Sequence, residues 1–198
     1  SEHVFEVSFE AIRGRNYKSD IALDDIKFQD GPCDNSASLD CDFDVDLCEW
    51  KSVRGTNRYP WRRRTGSTPS RGTGPSGDST GSTSGSYVYM ETSYSRPRRT
   101  AYLVSPEVAP SSRSHCLSFF YHMYGKTMGS LNVIIVDKIK KRYSLLSTIT
   151  GNQGNVWHYK EVTITSLNKY QVIFQGVRGN GYRSDIAIDD IEFRKGTC

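Results

Sequence analysis

Residues 174–198 read FQGVRGNGYRSDIAIDDIEFRKGTC. The run through Tyr170, Val172 and Phe174 alternates apolar and polar side chains, and the run from Ile186 to Phe193 is apolar around two acids. Both read as β-strands, because side chains along a strand alternate between its two faces. Arg178 and Gly179 between them read as a structural tight turn in which the glycine accepts positive φ, with Arg178 placed to contact Asp185 or Asp189. The stretch recurs 165 residues earlier. Residues 9–33 read FEAIRGRNYKSDIALDDIKFQDGPC, identical at 14 of 25 positions.

A repeat present only at the two ends predicts a unit of about 165 residues, with one whole copy here and the tail of another before it. Residues 1–33 are then the C-terminal strands of a preceding repeat, 34–40 a polar linker and 41–198 a complete domain. Cys33 is the counterpart of Cys198, so its partner is expected outside the chain. The strands of residues 1–33 lack the rest of their sheet, and two-strand pieces are marginal in water. They are expected to pair with another copy, or to belong to a tandem array. Ser1 opens no leader pattern, so the chain is expected to begin after processing or inside a longer protein.

The same reading extends across the complete unit. Short runs from Tyr87, Tyr102, Cys116, Tyr143 and Trp157 are separated by Gly, Asn, Asp, Ser and Pro. Residues 131–136 read as a buried strand. Residues 54–86 form a long stretch rich in Gly, Ser, Thr and Arg, of a length that is usually functional or flexible. The 12 Tyr and 8 Phe suit half-buried strands. These signals predict an all-β fold, an antiparallel β-sandwich of jelly-roll type held by disulfides. No stretch approaches the ~18 apolar residues of a spanning helix, so no direct membrane insertion is expected.

Of the five cysteines, none forms a Cys-x-x-Cys pair and none has a histidine at ligand spacing. A disulfide framework in an oxidising compartment is the better reading. Cys41 and Cys48 flank a short apolar and acidic loop and can pair locally, leaving Cys116 and Cys198 to close a long one. Four cysteines allow three connectivities, and spacing does not choose among them.

The complete unit resembles a MAM domain, the extracellular module of meprins, neuropilins and receptor tyrosine phosphatases. The resemblance is carried by CDFDVDLCEW at 41–50, Trp61, GPSGDST at 74–80, GSYVYME at 85–91, AYLVSP at 101–106, CLSFFYHMYG at 116–125, Gly154, Trp157 and IAIDDI at 186–191. It implies a jelly-roll sandwich with Cys41–Cys48 and Cys116–Cys198 pairs, used in adhesion or assembly rather than catalysis. The Arg62-Arg63-Arg64 run beside Trp61 departs from the family pattern in being more basic.

Four histidines, His3, His115, His122 and His158, stand in no catalytic context, and a non-enzymatic chain is expected. The carboxylates are the stronger chemical signal. Asp44 and Asp46 share a face if extended, and Asp189 and Asp190 interrupt an apolar strand, so one of them points inward. A buried carboxylate needs a partner. Some MAM domains carry a cation near the first disulfide, and a Ca²⁺ site built from Asp44, Asp46, Asp78 and Asp189 is one expectation. Arg side chains or loop amides are the other.

The net charge is +4, and Arg62, Arg63, Arg64 and Arg71 concentrate positive charge in an expected loop that suits an anionic partner. The expected role is extracellular protein–protein interaction in a tandem-repeat protein, secreted or as the ectodomain of a membrane protein, with homotypic contacts through the repeats among the partners considered. Alternatives are a structural repeat of an extracellular filament or matrix, and a binder of sulfated glycans through the Arg-rich loop. A nucleic-acid partner is not expected, because the basic residues carry no recognisable motif.

Overall fold

The structure, a computed structural model, describes residues 7–12, 22, 38–53, 60–93 and 97–198. It divides into two compact units, Ser1–Asn35 and Ser36–Cys198. In the first, residues 7–12 take no strand pairing and expose Val7, Phe9 and Ile12. Of the strands expected in residues 1–33, none is formed over residues 7–12. The rest of residues 1–33, with His3 and Cys33, lies outside the described residues.

The second unit is built of strands β1 (Lys51–Val53), β2 (Trp61–Thr65), β3 (Ser86–Met90), β4 (Thr100–Val104), β5 (His115–Met123), β6 (Ser130–Asp137), β7 (Arg142–Thr150), β8 (His158–Ile164), β9 (Tyr170–Val177) and β10 (Ile186–Lys195). Among the described residues they form two five-stranded antiparallel sheets, in the orders β1-β4-β9-β6-β7 and β2-β3-β10-β5-β8. The inward faces meet in one core. Trp50 and Phe119 both pack on Phe174, with ring centroids 5.4 and 4.8 Å apart. Leu39 is wholly buried in this core, and Trp50 Nε1 donates to its carbonyl at 2.9 Å. The packed unit thus begins before Cys41, and the expected polar linker over 34–40 ends short of Leu39.

Two disulfides join Cys41 to Cys48 and Cys116 to Cys198. The second ties the chain beyond β10 to the start of β5, its neighbour in the sheet.

Residues 66–85 are a packed cover. The outward residues Tyr87, Tyr89 and Ala187 form a second buried cluster with Trp157. The cover seals it: Tyr87 donates its hydroxyl to Gly66 O at 2.6 Å, and Trp157 Nε1 donates to Gly77 O at 3.1 Å. That is why all five residues of β3 are buried.

A register shift between Asp189 and Glu192 explains the two adjacent acids. Asp190 takes φ 44°. The extra residue returns Ile191 to the core while Asp189 faces the cover, not the sandwich interior. Gly179 does not adopt the expected positive φ. It is glycine because the chain passes close to its neighbour, and a Cβ there would overlap Thr127 O. Arg178 Nε donates to Thr92 O at 2.8 Å, and Thr92 in turn donates its amide to Asp185 Oδ1 at 3.0 Å.

Candidate functional site

The first disulfide loop is acidic, exposed and internally braced. Asp42 Oδ1 accepts the Asp44 amide at 3.0 Å, and Asp46 Oδ1 accepts the Cys48 amide at 2.6 Å. Phe43 is buried in the core, while Val45 is 85% exposed.

The four acids expected as cation ligands are held by loop amides. Asp44 Oδ1 accepts Ser86 N at 2.7 Å. Asp78 Oδ1 accepts the Thr80 and Ser82 amides at 3.0 and 2.7 Å. Asp189 Oδ2 accepts Ser79 N at 2.8 Å, and Ser79 also gives its hydroxyl to Asp190. Asp44 and Asp78 approach each other over Gly85, where a Cβ would overlap Asp78 Oδ2 and stand 3.4 Å from Asp44 Oδ1. Among the described residues no three of these acids bring ligand atoms within 4.8 Å of one another. Calcium takes six to eight oxygens, so the residues present do not fit a four-carboxylate calcium site. Cys116, Glu161 and Cys198 do cluster within that distance, but the two sulfurs are bonded to each other.

The arginine run is not in a loop. Arg62, Arg63 and Arg64 lie on β2, an edge strand. Arg63 turns to the first disulfide loop and donates to the carbonyls of Phe43 and Asp44. Arg64 Nε donates to Ser67 O at 2.9 Å. Arg71 is exposed at a 270 Å³ pocket with Tyr124 and Asn155. Sequence reasoning missed the strand because three consecutive arginines read as solvated loop.

The described histidines serve packing. His115 stacks on Phe193 at 4.7 Å. His158 Nε2 donates to Gln153 O at 2.8 Å. His122 pairs through Nε2 with Asn155 Oδ1 at 3.1 Å, and burial pulls its pKa down to about 4. Under the cover, burial pushes the Asp189 carboxyl up to about 7 and Asp185 up to about 6.

The outer face of the first sheet carries a feature that sequence reasoning did not separate from the core. Lys51, Val104, Ile173, Ile134 and Leu145 stand opposite one another across all five strands. The next row pairs Val53 with Tyr102, Gln175 and Asn132, whose amides bond each other at 2.8 Å. The other faces of these strands pack the core through Leu103, Phe174 and Val133. Residues 131–136 are thus buried on one face only, with Ile134 and Val136 turned outward, a correction to the uniformly buried strand expected. An outward sheet face is ordinarily polar. Here Leu145 is 62% and Val53 45% exposed. The signal was present in the unbroken VIIV of residues 133–136, which a strand buried on one side does not require.

Comparison with known proteins agrees with this architecture. A family model described as "MAM domain, meprin/A5/mu" matches residues 41–198. Human MAM domain-containing protein 2 is 39% identical over 183 residues, covering 90% of this chain and 26% of that protein. Rat MAM domain-containing glycosylphosphatidylinositol anchor protein 1 is 42% identical over 176 residues, covering 83% and 18%. The chain therefore spans about a quarter or less of these relatives. Among solved structures, the K1 cleaved adhesin domain of Lys-gingipain from Porphyromonas gingivalis superposes with a TM-score of 0.55 at 15% identity, over 79% of this chain and 97% of that one. The CBM22-1 xylan-binding domain of Paenibacillus barcinonensis Xyn10C gives 0.50 at 11%, over 82% and 98%. These two likenesses are of fold alone.

Proposed function

Since the chain belongs to the MAM domain family, we propose that it is a non-catalytic extracellular module that docks a partner protein, in adhesion or assembly, through the outer face of its first sheet. The observation that carries this reading is the apolar row Val104, Ile173, Ile134 and Leu145 on a face where no second layer covers it among the described residues. Val104, Ile173 and Ile134 are half-buried and Leu145 and Val53 are exposed, and contiguous apolar surface of this kind marks an interaction site. Lys51 ends the row on β1, and Lys138 and Arg142 flank the β6–β7 side, so the partner face is apolar at its centre and acidic at its rim.

Two disulfides support an oxidising, extracellular setting. The duplicated 25-residue stretch supports use in tandem. Cell adhesion to surfaces coated with the chain tests the proposal. Cells adhere to the parent, and Leu145→Glu combined with Val53→Glu abolishes adhesion while the circular dichroism and melting curve stay those of the parent. Undiminished adhesion to the double variant, or none to the parent, overturns it.

A further inference from the structure

We propose that the β6–β7 turn is a binding site for sulfated glycosaminoglycan chains. Residues 138–142 read KIKKR, four cations in five positions. Lys169 joins them, because Lys138 N donates to Lys169 O at 2.9 Å and brings the loop before β9 alongside.

The turn is held in shape by groups other than these cations. Asp137 Oδ1 accepts the amides of Ile139 and Lys140 at 2.9 and 2.8 Å, and its Oδ2 accepts Asn168 Nδ2 at 2.7 Å. Lys138 and Lys169 share Glu107 at 3.5 and 3.2 Å. Lys140, Lys141 and Arg142 are exposed and form no ion pair among the described residues. Their ammonium and guanidinium groups remain available to an incoming anion, on a backbone that needs no ordering.

The form of the site selects the ligand. Protein anchors bind in desolvated pockets, and Lys140, Lys141 and Arg142 are instead exposed on the turn and at the start of β7. A linear polymer of sulfate esters needs only spaced cations and an open approach, and gains affinity by releasing condensed counterions. The arginines of β2 present the opposite case, since Arg63 and Arg64 are committed to main-chain carbonyls. The proposal goes beyond protein docking on the outer face and does not depend on it.

The test is calorimetry of the full chain with a heparin decasaccharide at a series of salt concentrations. The parent binds, with affinity falling linearly on a log–log plot against salt. Lys140→Glu with Lys141→Glu weakens binding at least about tenfold and flattens that slope, with an unchanged melting curve. Arg62→Glu, on the other sheet, leaves binding intact. Unchanged affinity in the Lys140/Lys141 variant, or an equal loss in the Arg62 variant, overturns the proposal. Equal binding of desulfated heparin removes sulfate as the feature read. Equal binding of polyglutamate makes the ligand an acidic protein segment, and either result overturns the glycan assignment. Loss of heparin binding with intact cell adhesion separates this site from the docking face.

Discussion

Two stretches of this chain are alike in composition and opposite in use. Arg62, Arg63 and Arg64 follow one another on β2, and Lys138, Lys140, Lys141 and Arg142 crowd the β6–β7 turn. In the first, the strand period sends alternate side chains to opposite sides, and Arg63 reaches across to brace the acidic disulfide loop by its carbonyls. In the second, an aspartate and an asparagine hold the backbone, Lys138 pairs with Glu107, and only Lys140, Lys141 and Arg142 are left to solvent. A run of positive charge thus says little about function until it is known whether nearby carbonyls already accept its hydrogen bonds.

The contrast can be broken or sharpened by measurement. The largest effect is expected from opening the loop that Arg63 braces. Cys41→Ser with Cys48→Ser should cost about 2.5 kcal/mol in urea unfolding, the chain-entropy value for so short a loop. Arg63→Ala should cost about 1–2 kcal/mol, discounted for its partly exposed hydrogen bonds. Combined with the cysteine change it should cost less than the sum, because both act on one loop. Full additivity would show that Arg63 does not brace it.

A smaller effect concerns the cover over the second sheet. Asp189 has a folded pKa of about 7, raised by burial, above its ordinary value near 4. The protonated form is thus favoured in the fold. Its contribution is fully present below the unfolded pKa and is lost as pH rises through 7. Asp189→Asn should therefore gain in melting temperature relative to the parent as pH is raised from 5 to 8. A constant difference across that range would contradict the burial of this carboxyl under the cover. Next in size, Lys141→Ala with Arg142→Ala should leave the urea midpoint where it is, since nothing in the fold leans on either. A shift as large as that of Arg63→Ala would erase the distinction between the two runs. Calcium or a chelator is expected to move the melting temperature least of all, because loop amides already satisfy the four acids.

Much of the fold was legible because it rests on periodicity and repetition. The alternation around Phe174, the strand ending at Phe193 and the matching stretch before Cys33 needed no three-dimensional information. Three things were not legible, for physical reasons. The sequence SYVYM alternates tyrosines with apolar residues, which suits a strand buried on one side, and only the cover over Tyr87 and Tyr89 explains burial of both faces. Arg62, Arg63 and Arg64 resemble a solvated loop because their acceptors are main-chain carbonyls, which sequence does not display. The row Val104, Ile173, Ile134 and Leu145 comes from four distant strands and exists only in register.

The Cys116–Cys198 bond has a mechanical consequence for the sheet it closes. Tension applied at the C-terminal end of the chain does not peel β10 from its ragged end one hydrogen bond at a time. It crosses the disulfide into β5, which is flanked by β10 on one side and β8 on the other. The load is then shared in shear between two ladders, and extension stops at the covalent bond until β5 itself gives way.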